Sequence, residues 1–233
     1  MKKIDVIYKY LIFSFFAAFF IILFAVFDNS KLSNLDFNDK LLVGFLFIIC
    51  CIFGISLTFY PGWYKRIIIK DIKSDKIKIS NDKIKRKGHH PDCVRFYNHT
   101  IKFKNNTFCA GCFGLAIGFF ISISLMILYL FFINNFSKTF FYILLTIGFI
   151  IILILYLEIV INKRNKTVHI ALNVFFVLSF FMITVSIFEI TNKISYALIS
   201  ILLSFLWLDT RIQLSNRKHR LICANCDKSC KMY

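Results

Sequence analysis

Glycine, proline and acidic residues are all scarce in this chain: 8 Gly and 2 Pro among 233 residues, and 12 Asp plus Glu against 29 Lys plus Arg. No glycine-rich loop suited to cradling a phosphate is present, and no nucleophile stands beside a recognisable general base, so the sequence points away from an enzyme. The basic stretch 65–87 lacks the interleaved aromatic residues on which bases stack, and the formal net charge of +17 therefore does not indicate nucleic acid. No line of charges crosses the middle of an apolar run, which leaves no obvious proton or ion path.

What the chain has in abundance is apolar surface. It is 58% hydrophobic with mean hydropathy +0.71, far more than a soluble core requires. The apolar residues fall into runs about as long as a bilayer-spanning helix, roughly 20 residues. They lie at 11–27, 41–60, 113–133, 140–160, 168–190 and 194–208, the last being the shortest. The expected fold is an all-α polytopic membrane protein with about six transmembrane helices. It divides into a two-helix part at 1–60, a basic loop with a Cys/His cluster at 61–112, a four-helix part at 113–209, and a basic Cys-rich tail at 210–233. The first run begins like a signal peptide, but Phe27 stands where cleavage would need a small residue, so a retained helix is expected.

Charge alternates from one connection to the next. Lys2, Lys3 and Lys9 precede the first run, whereas 28–40 carries three acids and two lysines. Basic residues return in the 61–108 loop, at Lys163, Arg164 and Lys166, and at Arg211, Arg217, Lys218 and Arg220. Under the positive-inside rule, both termini and the long loop are cytoplasmic in a plasma (inner) membrane. Within the loop, Trp63 and Tyr64 suit a helix end at headgroup level, and 65–87 would lie against anionic lipid, each basic side chain contributing about 1 kcal/mol. The bilayer is thus the expected partner.

Six of the eight cysteines gather in two polar segments. His89, His90, Cys93, His99, Cys109 and Cys112 lie in the loop, while Cys223, Cys226 and Cys230 lie in the tail close to His219. In C-x-x-C, a tight turn brings both sulfurs to one side, matching an edge of a tetrahedral zinc site with Zn–S bonds of about 2.3 Å. A second such pair on the same membrane side strengthens the pattern, and the reducing cytoplasm disfavours a structural disulfide. The spacing admits a local site of Cys93, Cys109, Cys112 and a His, a discontinuous site of Cys109, Cys112, Cys223 and Cys226, or two sites. An iron–sulfur cluster is the weaker alternative, because no run matches a ferredoxin spacing. Residues 94–97 and 101–108 are expected to pair as a hairpin around Asn98-His99-Thr100. Cys50 and Cys51 lie mid-run and are expected in the core.

The run Cys109-Ala110-Gly111-Cys112-Phe113-Gly114-Leu115-Ala116-Ile117-Gly118 resembles the C-A-R-C-T-G-I-Y-x-G signature of prokaryotic membrane proteins grouped as domain of unknown function 2085. His89-His90-Pro91-Asp92-Cys93 and His99 are similar to the Cys/His segment that precedes it. Gly111 and Phe113 depart from the family's Arg and Thr. The resemblance implies a multi-pass membrane protein with a metal-binding loop and implies no reaction. Ala110, Gly114 and Gly118, four residues apart, form a helix face that admits a close neighbour. Glu158, His169, Glu189 and Asp209 fall near the ends of runs, where interfacial solvation accounts for them.

The expected role is binding or assembly around a structural zinc site, with thiol or iron–sulfur electron transfer and metal transport as rivals. Reporters fused at Lys85 and after Tyr233 are expected to read cytoplasmic, and one near Asp36 external; an external C-terminus would place loop and tail on opposite faces.

Overall fold

The computed structural model describes residues 2–27, 37–59, 100–103, 106–132, 136–160 and 165–224. It is an all-helical bundle with one small hairpin, in the order α1 (Lys2–Phe27), α2 (Phe37–Phe59), β1 (Thr100–Phe103), β2 (Asn106–Cys109), α3 (Ala110–Phe132), α4 (Lys138–Val160), α5 (Lys166–Thr191) and α6 (Ile194–Ala224). Five helices, α2 to α6, are long and apolar enough to cross a membrane, and α1 carries a shorter apolar stretch over Tyr8–Leu23. The many large apolar side chains left outward, among them Phe15, Phe45, Phe131, Leu153 and Leu202, are what a lipid-facing surface requires.

Paired residues show that consecutive helices from α2 to α6 run in opposite directions. Gly44 and Gly54 of α2 meet Leu130 and Phe119 of α3, Glu158 of α4 meets His169 of α5, and Ser200 of α6 meets Thr184 of α5. As a result α3 and α5, two helices apart, run parallel. They touch with almost no side chain between them: a Cβ on Gly114 would come within 2.6 Å of the Ile170 carbonyl oxygen, and one on Gly118 within 2.9 Å of that of Val174. The partner of the small-residue face is therefore α5, and Gly111 extends that face by one turn.

Helix α5 is the most enclosed, packed by α1, α3, α4 and α6. Asn165 caps its start by accepting from the Thr167 amide, at 3.3 Å. Asn192 ends it in the left-handed region at φ 52°, its amide donating to the Phe188 carbonyl at 2.8 Å. Lateral ties are polar. Tyr156 Oη donates to the Trp207 carbonyl at 3.1 Å, and Trp207 Nε1 donates to the Ser14 carbonyl at 3.4 Å, binding α1 and α4 to α6. At the end where α3 finishes, Tyr129 Oη donates to Glu189, and Lys40 Nζ lies 4.2 Å from the Tyr129 ring centre. Cys51 is buried and Cys50 half-buried in α2, as expected of core thiols.

The sequence reading needs correction in the hairpin, in the last helix and at Glu189. The hairpin pairs Thr100 with Cys109 and Phe103 with Asn106, so 101–108 folds back on itself and is not one strand of a pair around 98–100. Residues 101–108 contain their own turn signal in Lys104-Asn105-Asn106, and a two-residue connection is the shortest closure of an antiparallel pair. The last helix does not stop at 208 but runs to Ala224, because its buried stripe continues through Trp207, Arg211 and Leu214. Glu189 is not simply solvated at an interface, since it accepts the Tyr129 hydroxyl.

Gly114→Ala should destabilise the bundle by about 1–3 kcal/mol, because its methyl meets immobile backbone, whereas Gly44→Ala, which meets only the flexible tip of Leu130, should cost less than about 1 kcal/mol. Unfolding in detergent, followed by circular dichroism, separates the two.

Candidate thiol site at one end of the bundle

Strand β2 ends at Cys109 and α3 begins at the next residue, so the C-x-x-C run straddles a strand-to-helix junction. That junction holds Cys109 at the helix entrance and Cys112 in the first turn. The Cys112 thiol lies within hydrogen-bonding reach of Cys109, and the two are thiols and not a disulfide.

Gly111, between them, is the point where three helices converge. A Cβ there would lie 2.8 Å from Arg211 Nη2, 3.2 Å from His169 Nε2 and 3.9 Å from Asn173 Nδ2. The absence of a side chain thus makes room for a guanidinium from α6 and an imidazole from α5. Arg211 is 7% exposed and interacts electrostatically with Cys112, Cys109 and Glu158. A buried cation needs compensating negative charge, which Glu158 supplies.

His169 is fixed from its other side. Its Nδ1 faces Glu158 Oε1 at 3.4 Å, and Asn173, one turn along α5, donates through Nδ2 to the His169 carbonyl. Carboxylate contact at Nδ1 orients the ring and turns Nε2 toward Gly111. Glu158 and His169 are therefore a buried pair, not residues solvated at an interface as their positions near helix ends suggested. The end of α4 is closed by Lys218 Nζ, which donates to the Ile159 carbonyl at 3.1 Å. Buried polar atoms of this cluster that make no hydrogen bond among the described residues include Arg211 Nε and Asn173 Oδ1.

Of the sequence-derived ligands, the structure brings Cys109 and Cys112 together. His89, His90, Cys93, His99, Cys226 and Cys230 lie outside the described residues, as do the side chains of Cys223 and His219. Among the described residues, no three His, Cys, Asp or Glu side chains converge as a metal site. Arg211, His169, Glu158 and Asn173 were not among the site residues read from the sequence. The available signal was spacing: Arg211 falls seven residues after Ser204, and Asn173 four after His169, so each shares a helix face with its counterpart. No protein-family model matches the chain, and comparison with curated proteins and with solved structures likewise finds no match.

Arg211→Met should change stability far more than Arg217→Met, which should cost less than about 0.5 kcal/mol, because Arg211 is buried with Glu158 in its field. Adding Glu158→Gln to Arg211→Met should recover part of the loss. A double-mutant cycle of unfolding free energies checks this.

Proposed function

We propose that this integral membrane protein carries a dithiol redox centre at Cys109 and Cys112. The observation that supports this reading best is the adjacency of the two thiols to each other and to the buried cation Arg211. Two thiols within reach of each other can close to a disulfide, and thiol oxidation begins with a thiolate. The His169 ring, held by Glu158, directs Nε2 toward Gly111, the residue that precedes Cys112. Oxidation joins the two sulfurs and releases two electrons and two protons. In this reading the thiols face the cytoplasmic side, together with both termini and the basic loop. The first helix then counts as a sixth span.

Zinc is the second reading, and one sequence observation favours it: Cys93 and three His precede the same C-x-x-C pair. Two thiolates fit two tetrahedral vertices, and the local set with Cys93 and a His then completes the site. The discontinuous set is harder to build. Helix α6 carries Cys223 twelve residues beyond Arg211, about 18 Å further along its axis, while Arg211 stands beside Gly111. The resemblance to domain of unknown function 2085 agrees with either reading. Where that signature has Arg, this chain has Gly111, and the guanidinium of Arg211 occupies the space.

The test is differential alkylation of the full-length protein across a series of thiol buffers, with metal content measured on the same preparation. The dithiol reading expects Cys109 and Cys112 to interconvert with a disulfide in one two-electron step, and less than 0.1 equivalent (~0.1) of bound metal. About one zinc per chain, lost together in Cys109→Ser and Cys112→Ser, would replace it with the zinc reading.

A further inference from the structure

The small sheet runs directly into the thiol site. Strand β2 spans Asn106–Cys109, and its last residue, Cys109, is also the residue from which α3 begins to wind. Among the described residues β2 pairs with β1 alone, from Phe103 opposite Asn106 to Thr100 opposite Cys109. A strand paired on one side presents its other edge as a template, and two strands alone are marginally stable in water. A third strand along β2 would complete the sheet and pass beside Cys109.

Register fixes what that edge offers. In an antiparallel pair closed by two residues, the closing partners, here Phe103 and Asn106, exchange both amide hydrogen bonds, and bonded and non-bonded pairs then alternate. Lys102 with Thr107 and Thr100 with Cys109 are thus the non-bonded pairs. Thr107 and Cys109 therefore turn their backbone N–H groups, and Thr107 also its carbonyl, toward the outer edge. The residue hydrogen-bonded opposite Cys109 on an added strand would have its Cα about 5.5 Å away, which is the separation that a disulfide spans.

We infer that this edge docks the substrate of the dithiol: an extended, acidic polypeptide segment with a cysteine held in a disulfide, laid along β2 so that this cysteine stands opposite Cys109. The assignment rests on the dithiol reading and names the substrate class of that site. Strand addition supplies affinity through backbone hydrogen bonds and leaves the side chain opposite Cys109 to decide whether exchange occurs. Charge sets the acidic character. Lys102 and Lys104 belong to the hairpin segment, and the chain as a whole has a formal net charge of +17. Carboxylates are drawn to such a surface, and a basic segment is repelled.

The exchange balances in two steps. The Cys109 thiolate attacks one sulfur of the substrate disulfide, a new S–S bond forms, and the other substrate sulfur leaves as a thiolate. The Cys112 thiolate then attacks the Cys109 sulfur, the Cys109–Cys112 bond forms, and the first substrate sulfur departs. Two electrons and the two thiol protons pass to the substrate, which ends as a dithiol.

The experiment uses reduced, full-length Cys112→Ser protein in detergent, so that exchange stops at the mixed disulfide. The probe is a short peptide of alternating Glu and Val with one central Cys, activated as its disulfide with thionitrobenzoate; mass spectrometry locates the captured peptide. Capture at Cys109 should be at least about tenfold faster than for the same peptide methylated on the backbone nitrogens that face β2, the worth of about two amide hydrogen bonds. It should likewise outpace a Lys-for-Glu peptide. Thr107→Pro, which removes an outward N–H and no bond to β1, should abolish the preference. If the disulfide of thionitrobenzoate alone reacts with Cys109 but methylation of the peptide makes no difference, or if the preference survives in Thr107→Pro, edge docking is overturned and the dithiol reading stands. Equal capture of the Lys-for-Glu peptide overturns the acidic assignment. If no oxidant joins Cys109 to Cys112 in the unaltered protein, the dithiol reading and the docking both fall.

Discussion

A guanidinium buried where α3 has no side chain is the constraint on which this end of the molecule depends. Arg211 reaches the α3 backbone because residue 111 is glycine, and a Cβ there would sit 2.8 Å from its Nη2. Once that charge is inside the bundle, its neighbours are restricted. A buried ion without compensation costs several kcal/mol, which explains why Glu158 lies within its field and why the two thiols share that field. The close approach of α3 to α5 at Gly114 and Gly118 then fixes His169 and Asn173 opposite the C-x-x-C turn. Backbone contact thus positions the chemistry, with side chains arranged around it.

The membrane spans were legible in the sequence because hydropathy is a local property. The runs 41–60, 113–133, 140–160 and 168–190 lie within a few residues of α2, α3, α4 and α5. The sixth run was cut short because Asp209, Arg211 and Gln213 lower the average, although Trp207, Arg211 and Leu214 keep the buried helical period. The hairpin was legible as a pair of strands but not in its register. A strand-length apolar pattern does not say on which side of a turn it belongs until a partner is chosen.

The site divides in the same way. Two thiols separated by two residues announce themselves by spacing, and Cys109 and Cys112 do meet. A face of Ala110, Gly114 and Gly118 announces a close neighbour without naming it, and the identity of that neighbour is what places His169 and Asn173. Arg211, about a hundred positions further along the chain, carries no local mark of a partner at Gly111. Only the antiparallel return of α6 along α5 puts it there. Chemistry written in one segment was readable, and chemistry assembled from three helices was not.

Both ends of the bundle bury polar groups, and the packing at each decides which of them are met. At the far end, Lys40 lies over the Tyr129 ring and the Tyr129 hydroxyl meets Glu189, so α2, α3 and α5 are joined by groups that satisfy one another. At the thiol end, a guanidinium nitrogen and an amide oxygen stay buried with no partner among the described residues. Such groups cost about 1–3 kcal/mol each, and lipid offers them no hydrogen bond.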